Sequence, residues 1–167
     1  MMTVTFKGQP VTLAGAFIAA GVKAPNFSLV KNDMSEYSLE NNQGNYLILN
    51  IFPSLDTGVC ATSVRRFNKI AAELTNTSVL CISKDLPFAQ SRFCTVEGID
   101  RIIPLSDFRY TSHFGEQYGV LITNGPMQGL LARAVVVINP EGKVIYSELV
   151  SEITQEPDYN AVLELLK

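Results

Sequence analysis

Tyr46-Leu47-Ile48-Leu49-Asn50-Ile51-Phe52-Pro53 is the stretch on which the fold turns. A nearly continuous apolar run of this length fits a strand buried on both faces, as in a parallel sheet, and Pro53 ends it because proline cannot donate to a ladder. After a short loop, Val64, Phe67, Ile70, Ala71 and Leu74 recur at helical spacing, which predicts a helix over residues 58–74. Ser78-Val79-Leu80-Cys81-Ile82-Ser83 reads as a second buried strand. Strand, helix and strand in that succession build an α/β sheet.

Towards the N-terminus, residues 3–7 and 11–13 alternate on either side of Gly8-Gln9-Pro10 and predict a β-hairpin. Residues 14–24 read as a connection, 25–30 as a short strand, and 41–45 as a turn cluster. Towards the C-terminus, a short helix is expected over 86–93 with Asp85 as its N-cap. A weak strand at 102–105 and a short helix at 111–118 follow. Ala132-Arg133-Ala134-Val135-Val136-Val137-Ile138 is a third strong strand, with 143–149 as its hairpin partner beyond the Asn139-Pro140-Glu141-Gly142 turn. A helix at 157–166 closes the chain. The expectation is an α/β fold whose central mixed sheet is flanked by helices. No repeat or linker interrupts it, so residues 1–167 read as one domain, with 1–13 as an N-terminal hairpin extension.

Composition removes several function classes. With 47% hydrophobic and 17% charged residues the chain can bury a core. A net charge of -3, with no basic run longer than Arg65-Arg66, lacks the electrostatic footprint of a nucleic-acid binder. No apolar stretch approaches the ~18 residues of a membrane span. The first residues alternate like a strand and do not resemble a signal segment. Three cysteines are too few and too odd in number for a secreted disulfide scaffold. The expected compartment is therefore the reducing cytoplasm, with the periplasm as the alternative if a signal has been removed.

Cys60 falls in the first turn of the predicted 58–74 helix, where unpaired N–H groups and the helix dipole favour an anion. A thiol so placed ionises more readily, and the thiolate is the reactive form. Thr57, three residues earlier, is near enough to offer its hydroxyl to the sulfur or to a substrate oxygen, and Pro53 can screen the site from water. Cys60 as a packed thiol is the competing reading. Cys81, inside a buried strand, reads as a small hydrophobe. Cys94, at the end of the short helix, is ambiguous alone and becomes a candidate resolving thiol only beside a reactive Cys60. Arg133 opens a buried strand, where an unpaired charge is costly; it either reaches solvent or serves as a fixed cation beside a thiolate. His113, the only histidine, reads as a solvated surface residue. The scattered cysteines show no zinc spacing, no Cys-x-x-Cys is present, and no phosphate-binding glycine motif occurs.

Pro53-Ser54-Leu55-Asp56-Thr57-Gly58-Val59-Cys60 matches the Pro-x-x-x-Thr-x-x-Cys signature of the peroxiredoxins, and Ala24-Pro25-Asn26-Phe27 resembles the Ala-Pro-x-Phe that opens their thioredoxin-like core. The string from Asp85 to Cys94, the 132–138 strand and the N-terminal hairpin narrow the resemblance to the bacterial thiol peroxidase subfamily of atypical two-cysteine peroxiredoxins. It covers essentially the whole chain. The resemblance implies a thioredoxin-like fold, with Cys60 as the peroxidatic and Cys94 as the resolving cysteine of one subunit, joined as a redox disulfide. Thr57 and Arg133 would complete the peroxide site, with Pro53 shielding it. It also implies hydrogen peroxide and alkyl or lipid hydroperoxides as substrates, thioredoxin as reductant, a homodimer, and no metal, haem or flavin. Two rivals make different predictions. A thiol–disulfide oxidoreductase would turn over protein disulfides without peroxide; a binding domain would show a slow, pH-insensitive Cys60.

Overall fold

The computed structural model describes residues 2–42 and 44–167. Met1, and Gln43 in the middle of the expected 41–45 turn, lie outside the described residues. In chain order the elements are β1 (Thr3–Phe6), β2 (Gln9–Thr12), β3 (Ser28–Lys31), β4 (Glu36–Ser38), β5 (Tyr46–Ile51), α1 (Gly58–Glu73), β6 (Thr77–Ser83), α2 (Pro87–Glu97), β7 (Ile103–Ser106), α3 (Phe114–Gln117), β8 (Ala134–Ile138), β9 (Val144–Leu149) and α4 (Tyr159–Leu166). A single 3-10 turn at Leu39–Asn41 leads into β5. Strands β1 and β2 form a separate hairpin. The other seven form one sheet in the order β4-β3-β7-β6-β5-β8-β9.

The centre of that sheet is the predicted βαβ unit. β5 and β6 pair in parallel with Ile48 opposite Val79 and Ile51 opposite Ile82, and β7 extends the parallel set on β6. β8 then runs antiparallel against the other side of β5, with Ile51 opposite Ala134. The sheet is therefore mixed, as the sequence predicts. Strand alternation divides the core in two. Leu47, Leu49, Ile51, Leu80, Ile82, Ala134 and Val136 face the side covered by the hairpin, by Phe27 and by α3. Ile48, Val79, Cys81, Val135 and Val137 face α1 and α4. Burial on both faces is why these strands read as unbroken apolar runs.

Five local features depart from the sequence reading. The hairpin turns at Lys7–Gly8 rather than over Gly8-Gln9-Pro10, and Gln9 and Pro10 open β2. β4 was not expected: it is three residues long, none of them fully buried, and it sits at the sheet edge. The N-cap of α2 is Leu86 with no side-chain cap, Pro87 taking the first helical position where a missing N–H costs nothing. Asp85 instead turns its carboxylate back towards the loop after β5. Helix α2 runs on to Glu97 and closes on Gly98 in the left-handed conformation (φ 66°), so Cys94 lies within the helix rather than past its end. Helix α3 is a single turn, and His113 before it is exposed as expected. Among the described residues no helix is long and apolar enough to cross a membrane, and no cluster of His, Cys, Asp or Glu there is composed to hold a metal.

Candidate active site

The parallel strands β5, β6 and β7 end on the same edge of the sheet, where open α/β sheets carry their sites. Phe52, Pro53 and the loop to Thr57 leave β5 there, and α1 begins over it. Thr57 is the N-cap of α1: its hydroxyl accepts from the Cys60 backbone N–H at 3.4 Å and donates to the Ser54 carbonyl at 3.1 Å. In this arrangement the threonine hydroxyl serves the turn, and its proton is directed at Ser54 rather than at the sulfur. Cys60 sits one turn into the helix and is fully buried. Its carbonyl accepts from Ser63 Oγ at 2.8 Å, and Asn50 Nδ2 donates to that same hydroxyl at 3.3 Å. Asn50, the one polar side chain in the β5 run, thus tethers the first turns of α1 to the sheet. Its polarity inside an apolar strand was the available signal.

Because β8 is antiparallel to β5, the residue just before it arrives at the edge where β5 ends. That residue is Arg133, 1% exposed. Its Nε donates to the Ile153 carbonyl at 2.8 Å and its Nη2 donates to Cys60 Sγ at 3.0 Å. Its Nη1 is buried with no protein partner among the described residues. A pocket of about 290 Å³ opens beside it, lined by Pro53, Thr57, Gly58, Val59 and Met127 and, from the hairpin, by Phe6 and Lys7. The structure thus brings Pro53, Thr57, Cys60 and Arg133 together. The arginine neither snorkels nor stands alone: its guanidinium is fixed and buried against the Cys60 sulfur.

Cys94 is half-buried in the last turns of α2 and borders the same core cluster as Cys60 and Cys81. All three cysteines are free thiols. Burial pushes the Cys94 thiol up from its ordinary value and the Cys81 thiol up to about 12, the Asn50 amide opposing the latter only in part. Asp85 links the two cysteine-bearing regions. Its carboxylate accepts from Ser54 Oγ at 2.7 Å, from the Leu55 N–H at 2.8 Å and from Ser83 Oγ at 2.7 Å, so the loop preceding α1 is fastened to the loop preceding α2.

Comparison with known proteins shows the family and the fold. The redoxin family pattern matches residues 19–163. A thiol peroxidase of Corynebacterium glutamicum is 52% identical over 161 residues, 96% of each chain. One of Mycobacterium bovis is 51% identical over 166 residues, 99% of each. Among solved structures, a peroxiredoxin-like protein from Aquifex aeolicus superposes with a TM-score of 0.93 at 43% identity, covering 99% of this chain and 96% of that one. A thiol peroxidase from Chromobacterium violaceum superposes at 0.91 with 24% identity over 99% and 96% of the two chains, a likeness of fold alone. The chain belongs to the redoxin family, with the thioredoxin-like fold, and within that family to the peroxiredoxins of the thiol peroxidase group.

Proposed function

We propose that the protein reduces hydroperoxides at Cys60 and completes its cycle through a Cys60–Cys94 disulfide within one subunit. The observation that carries this reading is the buried guanidinium of Arg133, with one nitrogen 3.0 Å from Cys60 Sγ and another without a partner among the described residues. An oxygen entering beside the sulfur meets a donor already in place.

The Cys60 thiolate attacks one peroxide oxygen. The S–O bond forms as the O–O bond breaks, and the electron pair leaves on the second oxygen as hydroxide or alkoxide. Donors fixed where that charge appears stabilise the transition state more than the ground state. Arg133 is one. Thr57, at the pocket wall, becomes another once its hydroxyl turns from the Ser54 carbonyl, and Pro53 keeps water from the sulfur. The sulfenic acid then condenses with Cys94 as water leaves, and thioredoxin reduces the disulfide by exchange. A disulfide needs the two α-carbons within ~7 Å, whereas the peroxide site needs the first turn of α1 intact. Local unwinding of α1, α2 or both therefore accompanies oxidation, which need cost only part of the global stability. The apolar lining of the pocket favours alkyl and lipid hydroperoxides beside hydrogen peroxide, and the expected setting is the cytoplasm. The loops after β6 and β7 lie side by side, Asp107 N donating to the Ser83 carbonyl; together with the first turn of α2 they expose Leu86, Phe88, Phe108 and Tyr110. A second copy covering this edge as a homodimer fits that apolar surface.

The test is intact mass after one equivalent of hydroperoxide. Loss of two hydrogens, mapped to Cys60 and Cys94, is the expected result, and Cys60→Ser abolishes it. An unchanged mass in the wild type sinks the reading.

A further inference from the structure

The hairpin formed by β1 and β2 stands outside the main sheet, yet it is fastened at one place to the segment that follows β9. Thr5 N donates to the Ser151 carbonyl and Ile153 N to the Thr5 carbonyl, each at 2.8 Å. Between these backbone bonds lies Glu152. Its carboxylate accepts from Thr5 Oγ at 2.9 Å, from the N–H groups of Lys7 and Gly8 at 3.2 and 2.9 Å, and from the N–H and hydroxyl of Thr154 at 3.0 and 2.8 Å. These bonds hold the carboxyl down at about 2, those from Thr154 and Gly8 weighing most.

Two observations give the clasp a purpose beyond joining two loops. The hairpin turn needs a left-handed backbone at both central residues, Lys7 (φ 51°) and Gly8 (φ 81°). Lysine disfavours that conformation, and Glu152 takes both of the N–H groups the turn presents. The residue next to Glu152 is Ile153, whose carbonyl receives Nε of the arginine that bonds the Cys60 sulfur. The hairpin therefore ends in contact with the reacting centre: Thr5 sets Ile153, Ile153 sets Arg133, and Phe6 and Lys7 wall the pocket.

We propose that Glu152 is a positioning residue for the reaction at Cys60, locking the hairpin turn onto residues 151–154 so that the Ile153 carbonyl aims Arg133 at the sulfur. This rests on the reading of Arg133 as a donor to the peroxide transition state. Glu152 touches neither substrate nor sulfur and acts only through the arginine.

A double-mutant cycle isolates that route. The rate at which Cys60 consumes hydrogen peroxide is measured in the wild type, Glu152→Ala, Arg133→Met and the double variant, each verified as folded by circular dichroism. Since a ~1 Å misplacement of a catalytic group can cost ~10²-fold, a loosened Arg133 should slow Glu152→Ala roughly ten-fold. In the Arg133→Met background the same substitution should cost less than about two-fold, because nothing is left to aim. Glu152→Gln, which keeps an acceptor oxygen, should recover part of the loss. Equal losses in the two backgrounds, or a wild-type rate in Glu152→Ala, overturn the proposal. A wild-type rate in Arg133→Met alone instead removes the reading beneath it. Should Glu152→Ala not fold, Thr5→Val, which deletes only one hydroxyl from the clasp, enters the same cycle with an expected loss of about three-fold and the same overturning outcomes.

Discussion

Replacing Arg133 by methionine separates two things the arginine can do: hold charge on the Cys60 sulfur, and receive charge from the peroxide. The side chain is buried, with Nε on the Ile153 carbonyl and Nη2 on the sulfur. Methionine leaves the Ile153 carbonyl without that donor, at about 1–3 kcal/mol. It also removes a buried guanidinium with one nitrogen unpartnered among the described residues, and with it the desolvation cost of that charge. The two effects offset, so the variant should fold with a Tm within a few degrees of the wild type. The rate should not survive. Loss of a fixed donor at a comparable oxyanion site costs ~10²–10³, about 2.7–4 kcal/mol of transition-state stabilisation. Because the chain lacks tryptophan, the assay is quenched-flow with intact mass, counting oxidised Cys60 against time. A parallel course with a neutral alkylating agent reports thiolate formation alone. The expected outcome is a larger loss with peroxide than with the alkylating agent. Equal losses would confine Arg133 to ionising the thiol, and an unchanged peroxide rate would remove it from the reaction.

Cys94→Ser should react once with peroxide and stop at a Cys60 sulfenic acid that dimedone traps; full turnover with thioredoxin in that variant would acquit Cys94. Cys81 supplies a pH prediction. Its thiol ionises near 9.0 in the unfolded chain but only at about 12 when buried, so above pH 9.0 the unfolded state binds fewer protons and stability falls as pH rises. The slope from this one group is up to about 1.4 kcal/mol per pH unit. Cys81→Ala should flatten the alkaline side of a urea-denaturation pH profile while keeping its peroxide rate, and an identical profile would contradict the burial. Asp85→Ala unfastens the loop before α1 from the loop before α2 and should cost about 1–3 kcal/mol in urea denaturation, with a lower peroxide rate; unchanged stability would show that the three bonds at Asp85 do not hold in solution.

The elements that were legible beforehand are those with many apolar residues in register. β5, β6, β8 and α1 declare themselves because both faces of the sheet are buried and one face of the helix is. β4 was not legible: three partly exposed residues at an edge carry too little periodicity, and its existence depends on pairing with β3. Asp85 was misplaced because an aspartate before a helix looks the same in sequence whether its carboxylate caps that helix or bonds a loop 30 residues away. Thr57, Cys60 and Pro53 could be read together because they are neighbours in the chain. Arg133 could be singled out, since charge in a buried strand requires a partner, but which partner depended on the direction of β8. Glu152 left no trace. Its partners are mostly backbone N–H groups, which every sequence contains.

The antiparallel course of β8 also has a consequence for the chain as it is synthesised. Cys60 and Arg133 are 73 residues apart and meet only when β8 has entered the sheet beside β5. A ribosome that has released Cys60 and the first turn of α1 has made a cysteine with a helix start and nothing more. The guanidinium arrives later, and the Ile153 carbonyl that steadies it later still. On the proposed reading of Arg133, peroxide sensitivity is in this sense a late acquisition. The nascent thiol passes through the vulnerable period of synthesis without its chief electrostatic partner, and the complete site first exists in a chain already long enough to contain Cys94.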